Sequence, residues 1–511
     1  MRPKSGTESR YLDILVQSLD KETSVSVSVE SWTTTSHLRF QLAEKIGLSP
    51  ARQTLFSRCR ELGSSERICD LLAPNSRRRT QNSKPRFASS PQTKRARFLS
   101  FSDMPAHLKI VMLDSHSLEG QTIFPLLPSE GGLKTLMPAI REGLARGVPL
   151  MPIKNGTSGS YFARDKFRNP LAIFKPVDEE AFAPFNPKNL VGVTGSEGIR
   201  NGLKAGEGAL REVAASLLDS NGIHGVPATE LVVLSDQKLA RKVEPLHFSN
   251  FSTNFKQFGW EKLLLSAMKG TKIGSLQKLV RNVGSSEEFS HTLFPVKDVQ
   301  KIALLDLRIL NRDRNTGNIL VSKNPEGFTL TPIDHALAFP EVLEIGKEEL
   351  CWLEWPQIDQ PIVPELKELI LNLNPEKDEE SLSETLDLSE KALQNFRISE
   401  EFLKLAVARG LTIKQIAMYY IQQSEDKPSI LQNITHLAST INIKEEQLTP
   451  VFTTQRRKSM DEDQERQEPT KTRALSIGVS PEKLELDSLS FWNNFARIAI
   501  SELESNQAVR I

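Results

Sequence analysis

The stretch that decides the fold covers residues 309–339 and reads ILNRDRNTGNIL, VSKNPEGFTLTP, IDHALAF. Two apolar runs, residues 318–322 and 328–334, are separated by Lys-Asn-Pro-Glu-Gly. Since Pro fixes one backbone dihedral of a turn and Gly tolerates positive φ, this pattern predicts two short strands in a hairpin. Antiparallel pairing would return Asp334, at the end of the second strand, close to Asn318 at the start of the first.

The polar residues of this hairpin suit phosphoryl transfer. Asn318 and Asp334 offer oxygen ligands to one small space, and Mg²⁺ is usually held by one or two such protein groups together with substrate phosphates. Asp313, in the loop ahead of the first strand, can accept a hydroxyl proton. Base, Asn and metal-binding Asp follow one another in this order in kinases. A polar hairpin beside a solvated Asp-Arg loop is the alternative that these residues alone leave open.

The composition shows no global electrostatic preference. The chain has 511 residues, enough for about three domains, and a formal charge of +1, so we expect no specific nucleic-acid partner. Cys59, Cys69 and Cys351 are too few and too scattered for a disulfide framework or a zinc site, which predicts a reducing compartment. No apolar run approaches the roughly 18 residues of a membrane span. We therefore expect a cytoplasmic protein that associates with membranes peripherally.

Residues 10–73 have the pattern of a separate small domain. Apolar alternation over residues 11–16 and 25–29 predicts two strands, a helix follows over residues 35–47, and Gln-Thr-Leu-Phe at 53–56 predicts another strand. This order resembles the β-grasp of ubiquitin-like domains, which implies docking to ubiquitin-pathway or other protein partners. No Gly-Gly terminus follows, so conjugation is not expected. A β-grasp domain without a ubiquitin-related role is the alternative.

The last strand that a β-grasp sheet needs does not appear before Pro74. We expect residues 107–113 (HLKIVML) to supply it, across the insertion 74–104. From Arg77 to Arg97 this insertion carries eight Lys or Arg residues and no acidic one, a composition that predicts disorder. It is interpreted as a plain linker, a nuclear localisation patch or a contact for anionic lipid.

A Gly-Ser loop and a strand lysine form a second candidate site. Residues 156–162 read GTSGSYF, where small residues let backbone amides approach phosphate oxygens. The strand that follows carries Lys175, which can reach the α- and β-phosphates if a helix supplies a carboxylate. The helical pattern 206–219 offers Glu212 for this role, with Glu207 as the fallback. An exposed edge-strand lysine is the alternative for Lys175.

Two more segments complete the pattern. The run 272–280 (KIGSLQKLV) is predicted to connect two lobes and to offer backbone atoms to adenine. The run 299–310 (VQKIALLDLRIL) predicts a buried helix that delivers the chain to Asp313.

The order of these motifs resembles a known family. The Gly-Ser-Tyr-Phe loop, the Phe-Lys-Pro strand, the Gly-Glu-Gly-Ala-Leu-Arg-Glu helix, the Asp-Arg-x-x-Gly-Asn-Ile-Leu loop and the Ile-Asp-His motif resemble the type II-like phosphatidylinositol 4-kinases of the plant gamma group, within the PI3/PI4-kinase family. The resemblance covers about residues 135–420. It implies an α+β fold, with a bilobal protein-kinase-like catalytic domain over residues 135–425 preceded by a small β-grasp ubiquitin-like domain.

The resemblance also implies a reaction and its residues. ATP with Mg²⁺, or with Mn²⁺ as the alternative ion, would phosphorylate the 4-hydroxyl of phosphatidylinositol in membranes. Asp313 would be catalytic, supported by Lys175, Asn318 and Asp334, and the metal ligands would be Asn318 and Asp334. The implied ATP contacts are Thr157, Ser158, Gly159, Ser160, Tyr161, Lys175, Glu212, Gln277, Lys278, Leu279, Val280 and Asp334.

Two other functions remain open on the same fold. Gamma-group relatives imply a Ser/Thr protein kinase as one alternative, and a catalytically dead scaffold recruited through the ubiquitin-like domain is the other. The activation segment, about 335–360, holds one lysine, Lys347, whereas a headgroup bearing several phosphates would call for a basic cluster. Trp352 and Trp355 in this segment fit either a bilayer interface or the core. Residues 177–206 contain no Cys, so anchoring by acylation there is not expected.

The C-terminal part is predicted to be helical with one polar interruption. Helical patterns at 366–373, 400–408 and 413–423 would complete the larger lobe. Residues 453–483 are polar and charged, which predicts disorder. Residues 484–507 predict an amphipathic helix, with Leu489, Trp492, Phe495, Ala499 and Leu503 on the face that returns to the core.

Overall fold

The computed structural model describes residues 11–21, 23–30, 32–71, 108–118, 122–127, 132–240, 270–422, 424, 427–440 and 488–508. The predictions for the insertion 74–104 and for the segment 453–483 lie outside these residues. The chain forms two compact units, residues 1–430 and 431–511, and each is described by itself.

The N-terminal domain is a five-stranded sheet covered by one helix. Its strands are β1 (Tyr11–Ser18), β2 (Ser24–Glu30), β3 (Gln53–Ser57), β4 (Arg60–Glu61) and β5 (Leu108–Asp114), in the order β2-β1-β5-β3-β4. Helix α1 (Thr35–Ile46) begins after Thr34, whose hydroxyl accepts from the His37 amide, and ends at Gly47 with φ of 69°. β5 runs parallel to β1 and antiparallel to β3. This is the β-grasp order, and β5 occupies the place that the sequence hypothesis gave to residues 107–113.

A six-stranded sheet forms the smaller lobe of the second domain. Its strands are β6 (Thr122–Pro125), β7 (Met151–Pro152), β8 (Tyr161–Arg164), β9 (Pro170–Pro176), β10 (Thr229–Ser235) and β11 (Thr271–Lys278), in the order β6-β10-β11-β9-β8-β7. Helix α2 (Met137–Ala145) packs beside β6 and β8, and helix α3 (Gly208–Leu218) packs on β10 and β11. The lobe therefore begins at β6, ahead of the predicted boundary at residue 135.

The run 272–280 was predicted to connect the lobes, and this prediction is wrong for its first seven residues. Residues up to Lys278 form β11, which pairs with β10 on one side and β9 on the other. A Cβ at Gly274 would collide with the Lys175 carbonyl oxygen, so a glycine lets the two strands approach. The connector begins only at Leu279.

The larger lobe combines a small sheet with helices. Strands β12 (Gly284–Ser285), β13 (Ile319–Asn324) and β14 (Gly327–Pro332) form the sheet. The helices are α4 (Val296–Arg308), α5 (Pro364–Leu371), α6 (Pro375–Thr385), α7 (Glu390–Ala408) and α8 (Ile413–Tyr420). Sequence analysis predicted α4, α5, α8 and the second half of α7. It missed α6, a polar helix (PEKDEESLSET) whose only buried residues are Pro375 and Leu382, because such a helix carries a weak apolar pattern.

The second unit contains two described helices, α9 (Ile430–Thr440) and α10 (Ser488–Ala508). The buried stripe of α10 contains Phe491, Phe495, Ala499 and Leu503, spaced four residues apart. The stripe thus includes Phe495, Ala499 and Leu503 as predicted, whereas Trp492, also predicted on this face, is only partly buried and Phe491 takes its place. Within the described parts of the chain, no helix has both the length and the apolar character needed to cross a membrane.

Candidate active site

Lys175 joins the two lobes. It lies near the end of β9, and its Nζ is 2.6 Å from Oε1 of Glu212 on α3 and 3.0 Å from Oδ1 of Asp334 beyond β14. Burial alone would lower the pKa of Lys175, but the Asp334 and Glu212 carboxylates outweigh burial and raise it. Burial would likewise raise the pKa of Glu212, but Lys175 and His335 hold it well below its ordinary value. Both members of the ion pair are therefore charged at neutral pH.

Further contacts fix the Glu212 carboxylate. Gln277 Nε2 lies 3.4 Å from Glu212 Oε2 and donates to the Thr229 hydroxyl at 3.0 Å. His335 Nδ1 lies 3.6 Å from the same Glu212 oxygen. Glu207, the fallback partner of Lys175, instead pairs with Arg211 at 2.8 Å, one turn along its own helix.

Asp313 lies in the loop that follows α4 and is half-buried. Asn315 Nδ2 donates to its Oδ1 at 3.1 Å, and Asn318 Nδ2 donates to its backbone carbonyl at 2.8 Å. Burial raises the pKa of Asp313, and the nearby charge of Asp334 adds to this, against the opposing effects of the Asn315 amide, Arg200 and Arg314. A carboxylate with a raised pKa is a stronger proton acceptor than a solvated one.

The hairpin brings Asn318 and Asp334 to the same end of two paired strands. Ile319 pairs with Pro332, and the Ile333 amide donates to the Asn318 carbonyl at 3.0 Å. Asp334 then adopts φ of 57°, in the left-handed region where a residue with a Cβ is strained. Such strain is concentrated at active sites, where the surrounding structure imposes the conformation.

A buried ion pair that sequence analysis missed holds this end of the hairpin. Arg314 donates from Nη1 to the carbonyls of Asn318 and Ile333, both at 2.7 Å, and from Nε and Nη2 to Asp306 at 2.9 Å. Trp352 Nε1 donates to Asp306 Oδ2 at 2.9 Å. The available signal was an acidic residue inside the apolar run IALLDLRIL, since a buried charge requires a partner.

The tryptophans of the activation segment belong to the core. Trp352 is fully buried and Trp355 is 6% exposed, its ring packed near Phe294. The bilayer-interface interpretation of this pair is therefore wrong, and the alternative, that both are core aromatics, describes them.

The Gly-Ser loop lies between β7 and β8, and residues 179–186 form hydrogen bonds with it. A Cβ at Gly159 would collide with Glu179 Oε2, and the Gly159 amide donates to the Glu179 carbonyl at 2.9 Å. Asn186 Nδ2 donates to the Thr157 carbonyl at 2.8 Å, and the Ala181 amide donates to the Ser158 hydroxyl at 3.3 Å. The loop is thus a backbone turn held by these contacts, and Tyr161, which follows it, pairs with Phe174, the neighbour of Lys175 in β9.

Two other predicted loop contacts have partners within the protein. The Ser160 carbonyl accepts from the Ile153 amide at 2.8 Å. The Tyr161 side chain is buried, and its hydroxyl donates to Glu179 Oε2 at 2.5 Å. Tyr161 can therefore contribute to nucleotide binding only through its backbone.

The predicted adenine contacts lie where β11 ends. The Lys278 amide donates to the Ala228 carbonyl at 2.8 Å and the Leu279 amide to the Leu171 carbonyl at 3.0 Å. The side chain of Gln277 faces Glu212 and Thr229. The amides of Lys278 and Leu279 therefore already have carbonyl partners within the smaller lobe. The Val280 carbonyl accepts from Asn282 Nδ2 at 3.0 Å.

The comparison with protein families identifies the domain that carries this site. The model of the family "Phosphatidylinositol 3- and 4-kinase" matches residues 156–416, which include the Gly-Ser loop, Lys175 and the hairpin. The chain belongs to the phosphatidylinositol 3- and 4-kinase family.

Relatives with curated names are similar over the same region. The chain is 36% identical over 325 residues to "Phosphatidylinositol 4-kinase gamma 3" of Arabidopsis thaliana, with 60% of this chain and 53% of the relative covered. It is 34% identical over 330 residues to gamma 6 of that plant (62% and 51% covered) and 37% identical over 314 residues to gamma 4 of Oryza sativa subsp. japonica (59% and 52%). The chain spans about half the length of the curated relatives it matches.

In this phosphatidylinositol 3- and 4-kinase domain the oxygen donors fit a nucleotide-borne metal. Asp334 offers a carboxylate, and Asn318, whose Nδ2 donates to Asp313, has its amide oxygen left as an acceptor. One carboxylate and one amide suit Mg²⁺ or Mn²⁺ when substrate phosphates complete the coordination. Among the residues that the structure describes, no group of three or more His, Cys, Asp or Glu is placed to hold a metal by itself.

A segment of the smaller lobe covers the activation segment. Arg312 Nη1 donates to the Asn201 carbonyl at 2.7 Å, and the Glu341 amide donates to the Gly202 carbonyl at 2.7 Å. Lys204 also pairs with Glu341. Residues 201–204 thus contact Arg312 and Glu341, in a region that sequence analysis noted only for its lack of Cys.

Proposed function

We propose that the chain is an ATP-dependent phosphatidylinositol 4-kinase that transfers the γ-phosphoryl group of Mg-ATP to the 4-hydroxyl of the inositol ring. The observation that carries this proposal is the contact of Lys175 with both Glu212 and Asp334. Asp334 follows the second strand of the hairpin, and Asn318, just before the first strand, donates to the Asp313 carbonyl. The curated names of the relatives support phosphatidylinositol as the acceptor.

The residues have separate roles in this reaction. Lys175, held between two carboxylates, presents a fixed cation to the phosphates behind the Gly-Ser loop. Asn318 and Asp334 would hold Mg²⁺, which neutralises charge on the β- and γ-phosphates when bound. Asp313 accepts the proton of the attacking hydroxyl, and its raised pKa favours this transfer. Most of the rate enhancement would come from positioning and charge stabilisation.

The charge of the activation segment supports an acceptor with one phosphate. Lys347 is its single Lys or Arg, and Lys347 pairs with Glu354 at 3.0 Å on the exposed surface. A headgroup that already bears several phosphates requires several cations. Phosphatidylinositol itself, with one phosphodiester, does not.

One assay tests both the activity and the acceptor. Purified protein receives labelled ATP and Mg²⁺ together with phosphatidylinositol vesicles and a protein acceptor. We expect label in the extracted lipid, and Asp313→Asn should reduce it by about 10²–10⁴-fold, the usual loss of general base catalysis. Label in the protein acceptor alone would show that the chain phosphorylates protein and not phosphatidylinositol. Normal turnover by the Asp313 variant would exclude Asp313 as the base.

The same assay gives the pH dependence. Because the pKa of Asp313 is raised, the carboxylate loses its proton at a higher pH than an ordinary Asp. The rate should therefore rise with pH over a range shifted upward from that of an ordinary Asp, and Asp313→Asn should abolish this rise. Replacing Mg²⁺ by Mn²⁺ tests the alternative ion.

We also propose a cytoplasmic protein that associates with membranes peripherally, with residues 77–97 as a contact for anionic lipid. Sedimentation with phosphatidylinositol vesicles, with and without phosphatidylserine, measures this association. Binding should weaken with added salt if the basic residues carry it.

A further inference from the structure

The two faces of the β-grasp sheet are both covered over part of their width. The inner face carries Ile14, Leu55 and Ile110, which pack with Leu38 of α1 in the domain's own core. On the outer face, Phe56 of β3 lies opposite Val111 of β5, and both are buried. By contrast, Leu15 on the outer face of β1 is 38% exposed.

The cover of this outer face comes from the kinase domain of the same chain. Phe56, Val111 and Leu113 belong to one core cluster with Leu382, Leu386, Leu388, Ala392 and Phe396, which lie on α6, on α7 and in the connection between them. Polar contacts accompany the apolar ones. Arg60 Nε lies 3.1 Å from Asp387 Oδ2, and Cys59 Sγ donates to the Thr385 carbonyl at 3.7 Å.

The turn between β3 and β4 has a strained backbone at the point where it contacts the kinase domain. Arg58 and Cys59 have φ of 48° and 63°, a conformation that two-residue hairpin turns usually fill with Asn and Gly. Cys59 bears this strain while its side chain is buried against the kinase domain. Its burial and the nearby Asp387 raise the pKa of the Cys59 thiol to about 12, as expected in a closed interface.

The other end of the β-grasp domain is attached to the smaller lobe. Only residues 115–121 separate β5 from β6, and β6 pairs with β10 at the edge of the six-stranded sheet. Leu126, just after β6, belongs to the same core cluster as Phe56. The β-grasp domain is therefore covalently joined to the smaller lobe and docked on α6 and α7 of the larger lobe.

Helix α3 is the element that this arrangement supports. Its Val213 and Ala214 belong to the same cluster, and α6 contacts it directly. The same helix carries Glu212, the partner of Lys175. Support for α3 is thus support for the ion pair on which the site depends.

We propose that Phe56, Val111 and Leu113 of the outer face, together with Cys59 and Arg60 at the β3–β4 turn beside it, form an intramolecular docking face. It binds the α6–α7 segment of its own kinase domain and couples the two lobes around α3. A protein partner that used this face would have to displace α6 and α7, so such a partner and the docked arrangement exclude each other.

A charge-reversal cycle in the full chain tests the proposal without reference to activity. The variants are Arg60→Glu, Asp387→Arg and the double variant, and the readout is amide hydrogen exchange of α6 and α3. Each single change should speed exchange there by roughly three- to tenfold, a usual size for coupling between contacting charges, and the double variant should restore protection. Arg60 also pairs with Glu66 at 2.7 Å. This second ion pair is lost both in Arg60→Glu and in the double variant, so it cannot explain a difference between those two proteins.

One control and one further variant complete the design. Arg67→Glu makes the same charge change at an exposed position of the same domain and should leave exchange in α6 and α3 unchanged. Phe56→Asp changes a docking-face residue that is not part of the inner core and should likewise speed exchange in α6 and α3. The proposal is overturned if the single reversals change exchange only near residue 60, or if the double variant is no better protected than either single one. Because exchange is measured, absence of lipid kinase activity would refute the proposed function and leave this result standing.

Discussion

Asp306→Asn tests whether the buried ion pair holds the active-site loops together. Arg314 is fully buried, and its guanidinium donates to Asp306 at 2.9 Å and to the carbonyls of Asn318 and Ile333 at 2.7 Å. The substitution keeps the side-chain size but removes the charge that compensates Arg314. Breaking such a buried pair costs about 3–5 kcal/mol. At ~2–4 °C per kcal/mol for a large domain, Tm should fall by roughly 10 °C.

The assay is thermal unfolding together with the initial rate of phosphoryl transfer. Asp359→Asn is the matched control, because Asp359 forms an exposed ion pair with Lys414 at 2.9 Å, and such a pair contributes less than about 1 kcal/mol. Since Arg314 positions the carbonyl of Asn318, the Asp306 variant should also need more Mg²⁺ for half-maximal rate. Equal Tm values for the two variants would refute the view that the Asp306–Arg314 pair holds the hairpin.

Two further predictions follow from the smaller lobe. Gly159→Ala should raise the KM for ATP, measured by steady-state kinetics, because its Cβ would collide with Glu179; an unchanged KM would mean that the loop is free to move away. Glu180 accepts from the amides of Gly206, Gly208 and Ala209, yet burial raises its pKa from 4.5 to about 7. The folded state thus binds the Glu180 proton more tightly than the unfolded chain does. The folding stability that this proton contributes is present in full below pH 4.5 and is lost as pH rises through 7. Denaturant unfolding should show this loss between pH 5 and 8 in the wild type and not in Glu180→Gln; equal slopes in the two proteins would assign the loss to another group.

The hairpin and the Lys175 site could be predicted because their signals are local. Pro325 and Gly327 specify a tight turn, and the structure pairs Asn324 with Gly327 across it. The spacing of Asp313 and Asn318 follows from the loop that leads into β13. Lys175 and Glu212 are separated by 37 residues, but Lys175 is the one charge of an apolar strand and therefore needs a carboxylate partner where it is buried.

The remaining features depend on contacts that local pattern does not contain. Glu207 and Glu212 lie on the same predicted helix, and only the position of α3 on β10 and β11 decides which one meets Lys175. The strand character of residues 272–278 comes from pairing with β9 and β10, because Gly274 and Ser275 interrupt the apolar run. Asp306 is recognisable as a charge inside an apolar run, but only the packing of the lobe decides that Arg314 pairs with it while Arg308 pairs with Glu400.

The docking face shows what an apolar sequence pattern can predict and what it cannot. Strand β5 contains Ile110, Val111, Met112 and Leu113 in succession, all of them buried, whereas a sheet with one solvated face alternates apolar and polar residues. The continuous run therefore indicates cover on both faces of this strand. It does not indicate what provides that cover, because leucine and phenylalanine side chains of another protein or of the same chain would bury it equally well. The resemblance of residues 10–73 to ubiquitin-like domains implied docking with a separate protein, with a β-grasp domain of unrelated role as the alternative. The contact of Arg60 with Asp387 instead directs the β3–β5 part of that surface to the kinase domain, so recruitment of a partner would have to use the exposed side of β1 or α1.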